Sequence, residues 1–191
     1  MKQDYWKEVW FRKGKENTKD LLLLDGYEKT KINPKKVSEK IIEVMNIKPE
    51  DKVLEVGCGA GMLAQHIAPK CHYVGIDYSP SLVNKHIKLL GNSVLVSEAK
   101  DIPFKDKYFD KVFSYGVFFY FPSLVYATDV LAEMIRVSKN NIFVGDLPTS
   151  SHSKEHLLFY KDWFRGIAVK ITDGFYEPYT KERFNVVVSC K

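Results

Sequence analysis

The sequence predicts an α/β fold of the Rossmann-like, doubly wound type: a mostly parallel, seven-stranded-type sheet with helices on both faces. Short apolar runs of strand length alternate along the chain with longer segments of helical periodicity. The first of these runs ends at a glycine-rich turn that opens a helix. Strands that alternate with helices are typical of parallel sheets whose two faces are both covered.

The 191 residues suit a single domain, which we divide into an N-terminal helical arm or lid (1–32) and a Rossmann-like core (33–191). Hydrophobic residues make up 45% and charged residues 28%, the balance of a soluble globular protein. No apolar run approaches the ~20 residues of a membrane span, and the lysine-rich start differs from a signal peptide. We therefore expect a cytoplasmic protein without membrane contact. Three widely spaced cysteines predict neither a disulfide framework nor a metal site.

The arm is rich in aromatic residues at helical spacing. One face of a short helix would carry Tyr5, Trp6, Val9, Trp10 and Phe11. A run of four leucines then leads into a turn signal at residues 25–27. Two interpretations stay open: Tyr5, Trp6 and Trp10 close over a ligand as a lid, or they pack the arm against the core.

From residue 33 the pattern becomes regular. Asn33 is a good N-cap and Pro34 suits a first helical turn. Between residues 150 and 183 we expect a helix over 156–164 and a loop over 174–181. The remaining elements follow in the order helix 33–45, strand 53–56, helix 62–68, strand 72–77, helix 80–90, strand 93–97, strand 111–114, helix 123–137, strand 141–145 and strand 184–189.

The glycine turn has the spacing G-x-G-x-G, with Gly57, Gly59 and Gly61 directly after the first strand. Such a turn lets the backbone approach a ligand closely. Met62 stands where a dinucleotide-binding turn carries its third glycine, and this side chain would crowd a pyrophosphate. Glu55, just before the turn, would repel a diphosphate but suits a cationic ligand. The turn therefore favours a zwitterionic, sulfonium-bearing cofactor over a dinucleotide.

Asp77 ends the next strand, about 20 residues after the glycines, where an acidic residue accepts both hydroxyls of a ribose. The alternative is that Asp77 caps the helix that begins at Pro80, but Ser79 is better placed for that. We therefore expect a ribose contact at Asp77.

These motifs, together with two further ones, resemble the successive motifs of class I S-adenosylmethionine-dependent methyltransferases. The most similar group is the small-molecule group called methyltransferase type 11. The family phrase "G-D-A-x-x-L-P-F…F-D-x-V" corresponds here to S-E-A-K-D-I-P-F followed by F-D-K-V. The motifs stand in the family's order at residues 53–63, 74–79, 97–104 and 109–121.

The resemblance implies methyltransferase activity with S-adenosylmethionine as cofactor. Glu55 would hold the amino group of the cofactor, Asp77 the ribose hydroxyls, and Tyr78 would pack on the adenine. The cofactor-binding residues that it implies are Glu55, Gly57, Cys58, Gly59, Gly61, Asp77, Tyr78, Ser79, Glu98, Ala99, Ser114 and Tyr115.

The chain departs from the family at the adenine edge, and it also lacks the histidine that related enzymes often carry near Phe119 and Tyr120. Glu98 stands where the family usually carries Asp, and with the Ala99 amide it would read the adenine edge. Asp101 is the alternative for this role.

Methyl transfer needs alignment of acceptor and methyl group in a dry pocket, and a general base only where the acceptor must lose a proton. Candidate bases are Asp146, just past the fifth strand, and His152 in the loop beyond. Tyr115 and Tyr120 would form a pocket wall near the sulfonium through cation–π contact, or else belong to the core. The chain lacks the D/N-P-P-Y motif of enzymes that methylate adenine or glutamine amide nitrogen.

We expect a small-molecule acceptor, and the net charge of +5 suits a sugar or a phosphorylated metabolite. No basic stripe marks a nucleic-acid face, so we do not expect nucleic acid as a partner. The alternatives are an RNA methyltransferase and a non-catalytic S-adenosylmethionine-binding regulatory or partner subunit. A nicotinamide-dependent oxidoreductase is opposed by Met62 and Glu55. The residues favour no particular methylated atom and no oligomeric state.

Overall fold

The computed structural model describes residues 2–150 and 156–190, and within these ranges seven strands form one sheet. The strands are β1 Lys52–Val56, β2 His72–Asp77, β3 Val94–Val96, β4 Lys111–Tyr115, β5 Ile142–Pro148, β6 Ala168–Asp173 and β7 Arg183–Val188. The helices are α1 Lys2–Lys15, α2 Leu21–Leu24, α3 Pro34–Met45, α4 Ala64–Ile67, α5 Pro80–Leu90 and α6 Leu124–Val137. Short 3₁₀ helices cover Ala68–Lys70, Phe118–Tyr120 and Lys161–Phe164.

The strands lie in the order β3-β2-β1-β4-β5-β7-β6. The first five strands of the chain pair in parallel, while β7 is antiparallel to both β5 and β6. The predicted fold class, a Rossmann-like and mostly parallel sheet, is confirmed. Because the chain reverses its direction of travel across the sheet between β1 and β4, a crevice opens at the carboxyl ends of these two strands.

Both faces of the sheet are covered, because successive side chains of a strand point to opposite faces. Val53, Phe113 and Phe143 belong to the core on the side of α3 and α4. Their neighbours Leu54, Val112 and others belong to the core on the side of α6. Buried strands of this kind carry nearly continuous apolar runs, which is why they stand out in the sequence.

Helix boundaries follow the capping residues. The Asn33 side chain accepts a hydrogen bond from the Lys36 amide, and Pro34 occupies the first turn of α3 as predicted. Ser79 caps α5 and Ser123 caps α6 in the same way. Such caps satisfy backbone N–H groups that have no partner within the helix.

The predicted helix over 156–164 is wrong. Only Lys161–Phe164 is helical, as a 3₁₀ turn. The Leu157 amide donates to the Phe119 carbonyl and the Phe159 amide to the Pro148 carbonyl, so both amides bond to distant segments. These two bonds hold the segment before Lys161 against distant parts of the chain, and residues 157–160 form no regular element.

Strand β6 was not expected from the sequence. It is an edge strand whose side chains are mostly exposed, so it carries no long apolar run. Strand β5 also runs further than predicted, to Pro148, because an irregularity between Val144 and Leu147 lets pairing with β7 resume. This irregularity places Asp146 in a left-handed conformation with φ of 62°.

Helix α1 lies against the start of α5. The Ser81 hydroxyl donates to the Phe11 carbonyl at 2.8 Å, and the Tyr78 hydroxyl to the Trp6 carbonyl at 3.0 Å. A Cβ on Gly14 would come within 2.5 Å of the Leu82 backbone nitrogen, so the two helices meet backbone to backbone. Across residues 2–150 and 156–190, no helix combines the length and apolarity that crossing a membrane requires.

Candidate active site

A cavity of about 970 Å³, part of it open to solvent, lies over the carboxyl ends of β1, β2 and β4. The sheet, its loops and the first turns of α5 and α6 supply Glu55, Gly57, Cys58, Gly59, Met62, Leu63, Ile76, Asp77, Tyr78, Leu82, Ser97, Glu98, Ala99, Tyr115, Gly116, Val117, Tyr120, Phe121, Pro122 and Tyr126 to its lining. The N-terminal arm supplies Trp6, Lys7, Trp10, Asp25 and Tyr27.

The glycine turn forms the floor of the cavity. Gly57 and Gly59 have φ of 78° and 51°, values that favour glycine. A Cβ on Gly59 would collide with the Asp25 carboxylate, so the turn admits that carboxylate only because residue 59 has no side chain. Gly61 instead faces α5, where a Cβ would meet Leu90 and His86.

Asp25, from the arm, occupies the amides of the glycine turn. Its carboxylate accepts hydrogen bonds from the Ala60 amide at 2.6 Å and the Met62 amide at 2.8 Å. Free amides of such turns bind phosphates in dinucleotide-binding proteins. Because a protein carboxylate already holds them, a diphosphate has no place here. Burial raises the pKa of Asp25 to about 7, although these hydrogen bonds favour the charged form.

Asp77 is held by two backbone amides at the end of β2. One oxygen accepts from the Gly59 amide at 3.0 Å and the other from the Ser79 amide at 2.9 Å. Burial raises its pKa to about 6, and the nearby Glu98 adds to this. A fixed carboxylate with remaining lone pairs suits a ligand that presents hydroxyl groups.

Glu55 is a buried carboxylate one residue before the end of β1. It accepts a hydrogen bond from the Tyr73 hydroxyl at 2.6 Å. Burial raises the pKa of Glu55 to about 8, and the nearby Asp25 and Asp77 contribute to that rise. A cationic group in the cavity would favour its charged form.

Glu98 lies at the other end of the cavity, between the arm and α6. Its two oxygens accept from the Lys7 ammonium at 2.6 Å and the Tyr126 hydroxyl at 2.7 Å. Burial acts against ionisation, but these two hydrogen bonds lower the pKa of Glu98 below its usual value. The arm therefore reaches both ends of the cavity, through Asp25 and Lys7.

Tyrosines line the part of the cavity beside β4. Tyr115 is buried, and within the described ranges its hydroxyl has no hydrogen-bond partner in the protein. The Tyr120 ring packs edge-on against Trp6 and Trp10, with ring centres 4.5 and 4.9 Å apart. Tyr27 reaches the same region from the arm, and its hydroxyl lies against Gly116.

Asp146 does not line the cavity but lies behind Tyr27. One of its oxygens accepts from the Tyr27 hydroxyl at 3.0 Å and lies 3.5 Å from the Arg183 guanidinium. Its amide donates to the Asn185 side chain at 3.0 Å. Burial, with Asp146 nearby, raises the pKa of Tyr27 well above its usual value, so this tyrosine stays protonated.

The structure brings most of the predicted site residues together. Those that line the cavity are Glu55, Gly57, Cys58, Gly59, Asp77, Tyr78, Glu98, Ala99, Tyr115 and Tyr120. Those that do not are Gly61, Ser79, Ser114, Asp146 and the alternative adenine contact Asp101. His152 lies outside the described residues.

Ser114 and Ser79, which do not line the cavity, each have a structural role. The Ser114 hydroxyl donates to the Val56 carbonyl at 2.8 Å, which ties β4 to β1. The Ser79 hydroxyl accepts from the Leu82 amide as the α5 cap and donates to the Trp10 carbonyl.

Sequence reasoning missed Lys7, Asp25, Tyr27 and Tyr126 as lining residues. Their contacts join positions 28 to 119 residues apart, and no local pattern encodes such pairings. The aromatic spacing of α1 was the one available signal, and it pointed to Trp6 and Trp10.

Residues 54–144 match a family model described as a methyltransferase domain of type 11. An uncharacterized methyltransferase of Schizosaccharomyces pombe is 28% identical over 120 residues, 60% of this chain and 39% of that protein. A probable tRNA methyltransferase 9B of Bos taurus is 31% identical over 90 residues, 47% of this chain. The aligned part is 19% of the bovine protein, so this chain spans well under half of either relative.

The fold is shared with a solved structure of phosphoethanolamine N-methyltransferase 1 of Haemonchus contortus, which holds phosphoethanolamine and S-adenosylhomocysteine. The TM-score is 0.74 at 12% identity, over 98% of this chain and 48% of that one. The sheet order, the glycine turn after β1 and the acidic residue that ends β2 all lie within this shared fold. Residues 54–144 are therefore similar to a methyltransferase domain of type 11, and the chain shares its fold with solved S-adenosylmethionine-dependent methyltransferases.

Proposed function

We propose that this chain methylates a polar atom of a small-molecule acceptor, such as a sugar or a phosphorylated metabolite, bound beside Tyr115 and Tyr120. The observation that carries the proposal is the Tyr115 hydroxyl, which is buried at the cavity wall without a hydrogen-bond partner among the described residues. A buried hydroxyl normally has a partner, so a ligand atom is the natural candidate. The arm also covers the cavity, which favours an acceptor small enough to be enclosed.

The donor set of the cavity fits the cofactor. We assign the ribose hydroxyls to Asp77, whose carboxylate is fixed by two amides, and the amino group to Glu55. Tyr78 would flank the adenine ring, and Glu98 with the Ala99 amide would border its polar edge. Asp25 would complete the methionine end.

The cofactor, when bound, supplies a methyl group on positively charged sulfur. The residues of this chain bind and orient it, and the aromatic rings of Trp6, Trp10 and Tyr120 exclude water from the acceptor side. Alignment of the acceptor then provides much of the catalysis. Tyr27 would hold the acceptor by a hydrogen bond, and Asp146 would act through Tyr27 as a positioning residue.

The N-terminal arm would act as a lid. Its residues Lys7 and Asp25 bond to opposite ends of the cavity, so closure of the arm would complete the site. Lids of this kind set the rate of binding and release in other enzymes. The remaining alternative, in which the arm only packs against the core, predicts that arm variants keep normal binding kinetics.

RNA is the second candidate acceptor, because relatives are named as tRNA and rRNA methyltransferases. The expectation that nucleic acid is not a partner therefore has no support from the relatives. An RNA acceptor would have to present a single nucleotide at the Tyr115 end of the cavity.

The first experiment is a calorimetric titration with S-adenosylmethionine and S-adenosylhomocysteine, with NAD as the control ligand. We expect micromolar binding of the first two and none of NAD. Asp77→Asn should weaken S-adenosylmethionine binding by about 1–3 kcal/mol, because the ribose loses a charged acceptor. Asp162→Asn, an exposed change of the same type, should bind normally. Equal binding by Asp77→Asn would remove the ribose assignment.

The acceptor is then sought with S-adenosylmethionine that carries a labelled methyl group. Cell extract is separated into small-molecule, RNA and protein fractions, and each is incubated with the protein. The proposal is supported if the small-molecule fraction becomes labelled and if the Tyr115→Phe variant incorporates less label than the wild-type protein. Label confined to RNA would replace it with the second candidate.

A further inference from the structure

Three carboxyl groups lie close together in the cavity, around the glycine turn. Asp25, Glu55 and Asp77 all line the same cavity. Among the described lining residues Lys7 is the one basic side chain, and its ammonium is 2.6 Å from Glu98 at the other end. No described basic side chain of the lining therefore compensates these three carboxylates.

The contribution of Asp25 is specific to this arrangement. The arm brings Asp25 onto the glycine turn, and its oxygens accept from amides on either side of Gly61. Because these amides fix its position, the carboxylate cannot turn away from the cavity to relieve repulsion by Asp77 and Glu55. A ligand that brings positive charge would relieve this repulsion, and a neutral one would relieve it less.

Methyl transfer changes the charge of the cofactor. The S–CH₃ bond breaks, its electron pair stays on sulfur, and the methyl group bonds to a lone pair of the acceptor, which loses its proton to solvent or a nearby base. The sulfonium becomes a neutral thioether, so the product carries one positive charge less than the methyl donor.

We propose that Asp25 is a specificity-determining residue that favours the positively charged methyl donor over its neutral product. This inference rests on the proposed assignment of the cavity to the cofactor. Asp25 contributes negative charge at the end where the sulfonium is lost, so the reaction itself weakens binding and promotes release of the product.

The protonation of the site follows from the same contacts. At neutral pH the carboxylates hold part of their protons, since burial raises the pKa of Asp25 to about 7 and that of Glu55 to about 8. A bound cation lowers both pKa values and drives protons into the buffer. The titratable groups around Asp25 are Glu55, Cys58, Tyr73 and Asp77. His86 of α5 lies against the Gly59 carbonyl of the glycine turn, and Lys13 of the arm pairs with Glu28.

The test compares the affinities of the wild-type protein and Asp25→Asn for S-adenosylmethionine and S-adenosylhomocysteine at pH 7.5. Asn keeps the shape and one acceptor oxygen but removes the charge. We expect the ratio of the two affinities to shift toward the product by about tenfold in Asp25→Asn, equal to about 1.4 kcal/mol. Asp20→Asn, which neutralises an exposed N-cap in the same arm, should leave the ratio unchanged. The proposal is overturned if the ratio is unchanged in Asp25→Asn, which includes the case in which the affinities for both ligands fall by the same factor.

A second measurement needs no variant. Titration of the wild-type protein in two buffers of different ionisation enthalpy gives the number of protons released. We expect more protons released with S-adenosylmethionine than with S-adenosylhomocysteine, and equal release overturns the proposal. If the wild-type protein binds neither compound, the cofactor assignment fails with it, whereas binding of both without discrimination refutes the role of Asp25 alone.

Discussion

Asp146 combines a charge, a backbone conformation and a buried position. Its φ of 62° is tolerated best by Gly, Asn and Asp. Its carboxylate lies 3.5 Å from Arg183, and both side chains are almost fully buried. Arg183 also donates to the Asp146 carbonyl at 3.1 Å. The pair fixes the turn of β5 that faces Tyr27.

We expect Asp146→Asn to lower the free energy of unfolding by about 3 kcal/mol, because the buried Arg183 loses its counter-charge. Asn tolerates the left-handed backbone, so the loss reports the charge rather than the conformation. Urea denaturation of the two proteins measures the difference. Asp162→Asn, which removes the exposed partner of Arg165, should cost about 0.5 kcal/mol or less. A loss below about 1 kcal/mol in Asp146→Asn would contradict the importance of the pair.

At this scale the sequence predicted the parts of the site that stand in local motifs. Glu55, Asp77 and the glycines follow strands whose apolar runs are recognisable, so their place at the sheet edge could be expected. Asp25 and Tyr27 could not be expected, since their partners lie 35 and 119 residues further along the chain. Asp146 was expected near the site, but the irregularity in β5 that turns it behind Tyr27 has no sequence signature.

Helix α1 depends on α5 for its position. Hydroxyls of α5 and its cap bond to carbonyls of α1, and Gly14 allows the two backbones to meet. A helix of this length is marginally stable by itself, so its order comes from this packing.

We expect Gly14→Ala to loosen α1, although alanine ordinarily stabilises a helix by up to about 1 kcal/mol relative to glycine. The added Cβ would collide with Ser81 and with the Leu82 backbone, which cannot move without disturbing α5. Hydrogen exchange should show the α1 amides exchanging about tenfold faster, while β4 and β5 keep their protection. Glu8→Ala, an exposed change in the same helix, is the control. Unchanged or slower exchange in Gly14→Ala would contradict the close contact between the two backbones.

The elements that sequence patterns predicted well are the central strands of the sheet and the helices with one buried face. Strands β1, β2 and β4 and helices α3, α5 and α6 carry apolar runs or helical spacing with clear caps. The edge strand β6 has mostly exposed side chains, and the segment before Lys161 takes its shape from bonds to Phe119 and Pro148. Both depend on partners that are distant in the sequence.

The net charge of the chain is opposite in sign to the acidic groups that line its cavity. The chain has a net charge of +5, yet its central cavity is acidic. Folding buries Glu55 and Asp77, partly buries Asp25, and raises the pKa of Asp25, Glu55 and Asp77 to about 7, 8 and 6. The folded state therefore binds protons more tightly at these groups than the unfolded chain does.

We expect the ligand-free protein to lose about 1–2 kcal/mol of stability between pH 7 and pH 8.5. Stability from a raised carboxyl pKa is complete below the unfolded pKa near 4 and is lost as pH rises through the folded value. Above pH 7 Asp25 and Glu55 dominate, since the lowered pKa values of His66 and His86 act at lower pH. Thermal unfolding at both pH values measures the loss, and S-adenosylmethionine should reduce it. Constant stability over this range would contradict the raised pKa values.

Asp77, Tyr78 and Ser79 are consecutive, and each faces a different structure. Asp77 lines the cavity, the Tyr78 hydroxyl bonds to the Trp6 carbonyl, and the Ser79 hydroxyl bonds to the Trp10 carbonyl. A ligand that displaces Asp77 therefore also displaces the residues whose hydroxyls hold α1 in place. The rate at which the cofactor dissociates should therefore be set by the rate at which α1 separates from α5. Each turnover would then include one separation of these two helices.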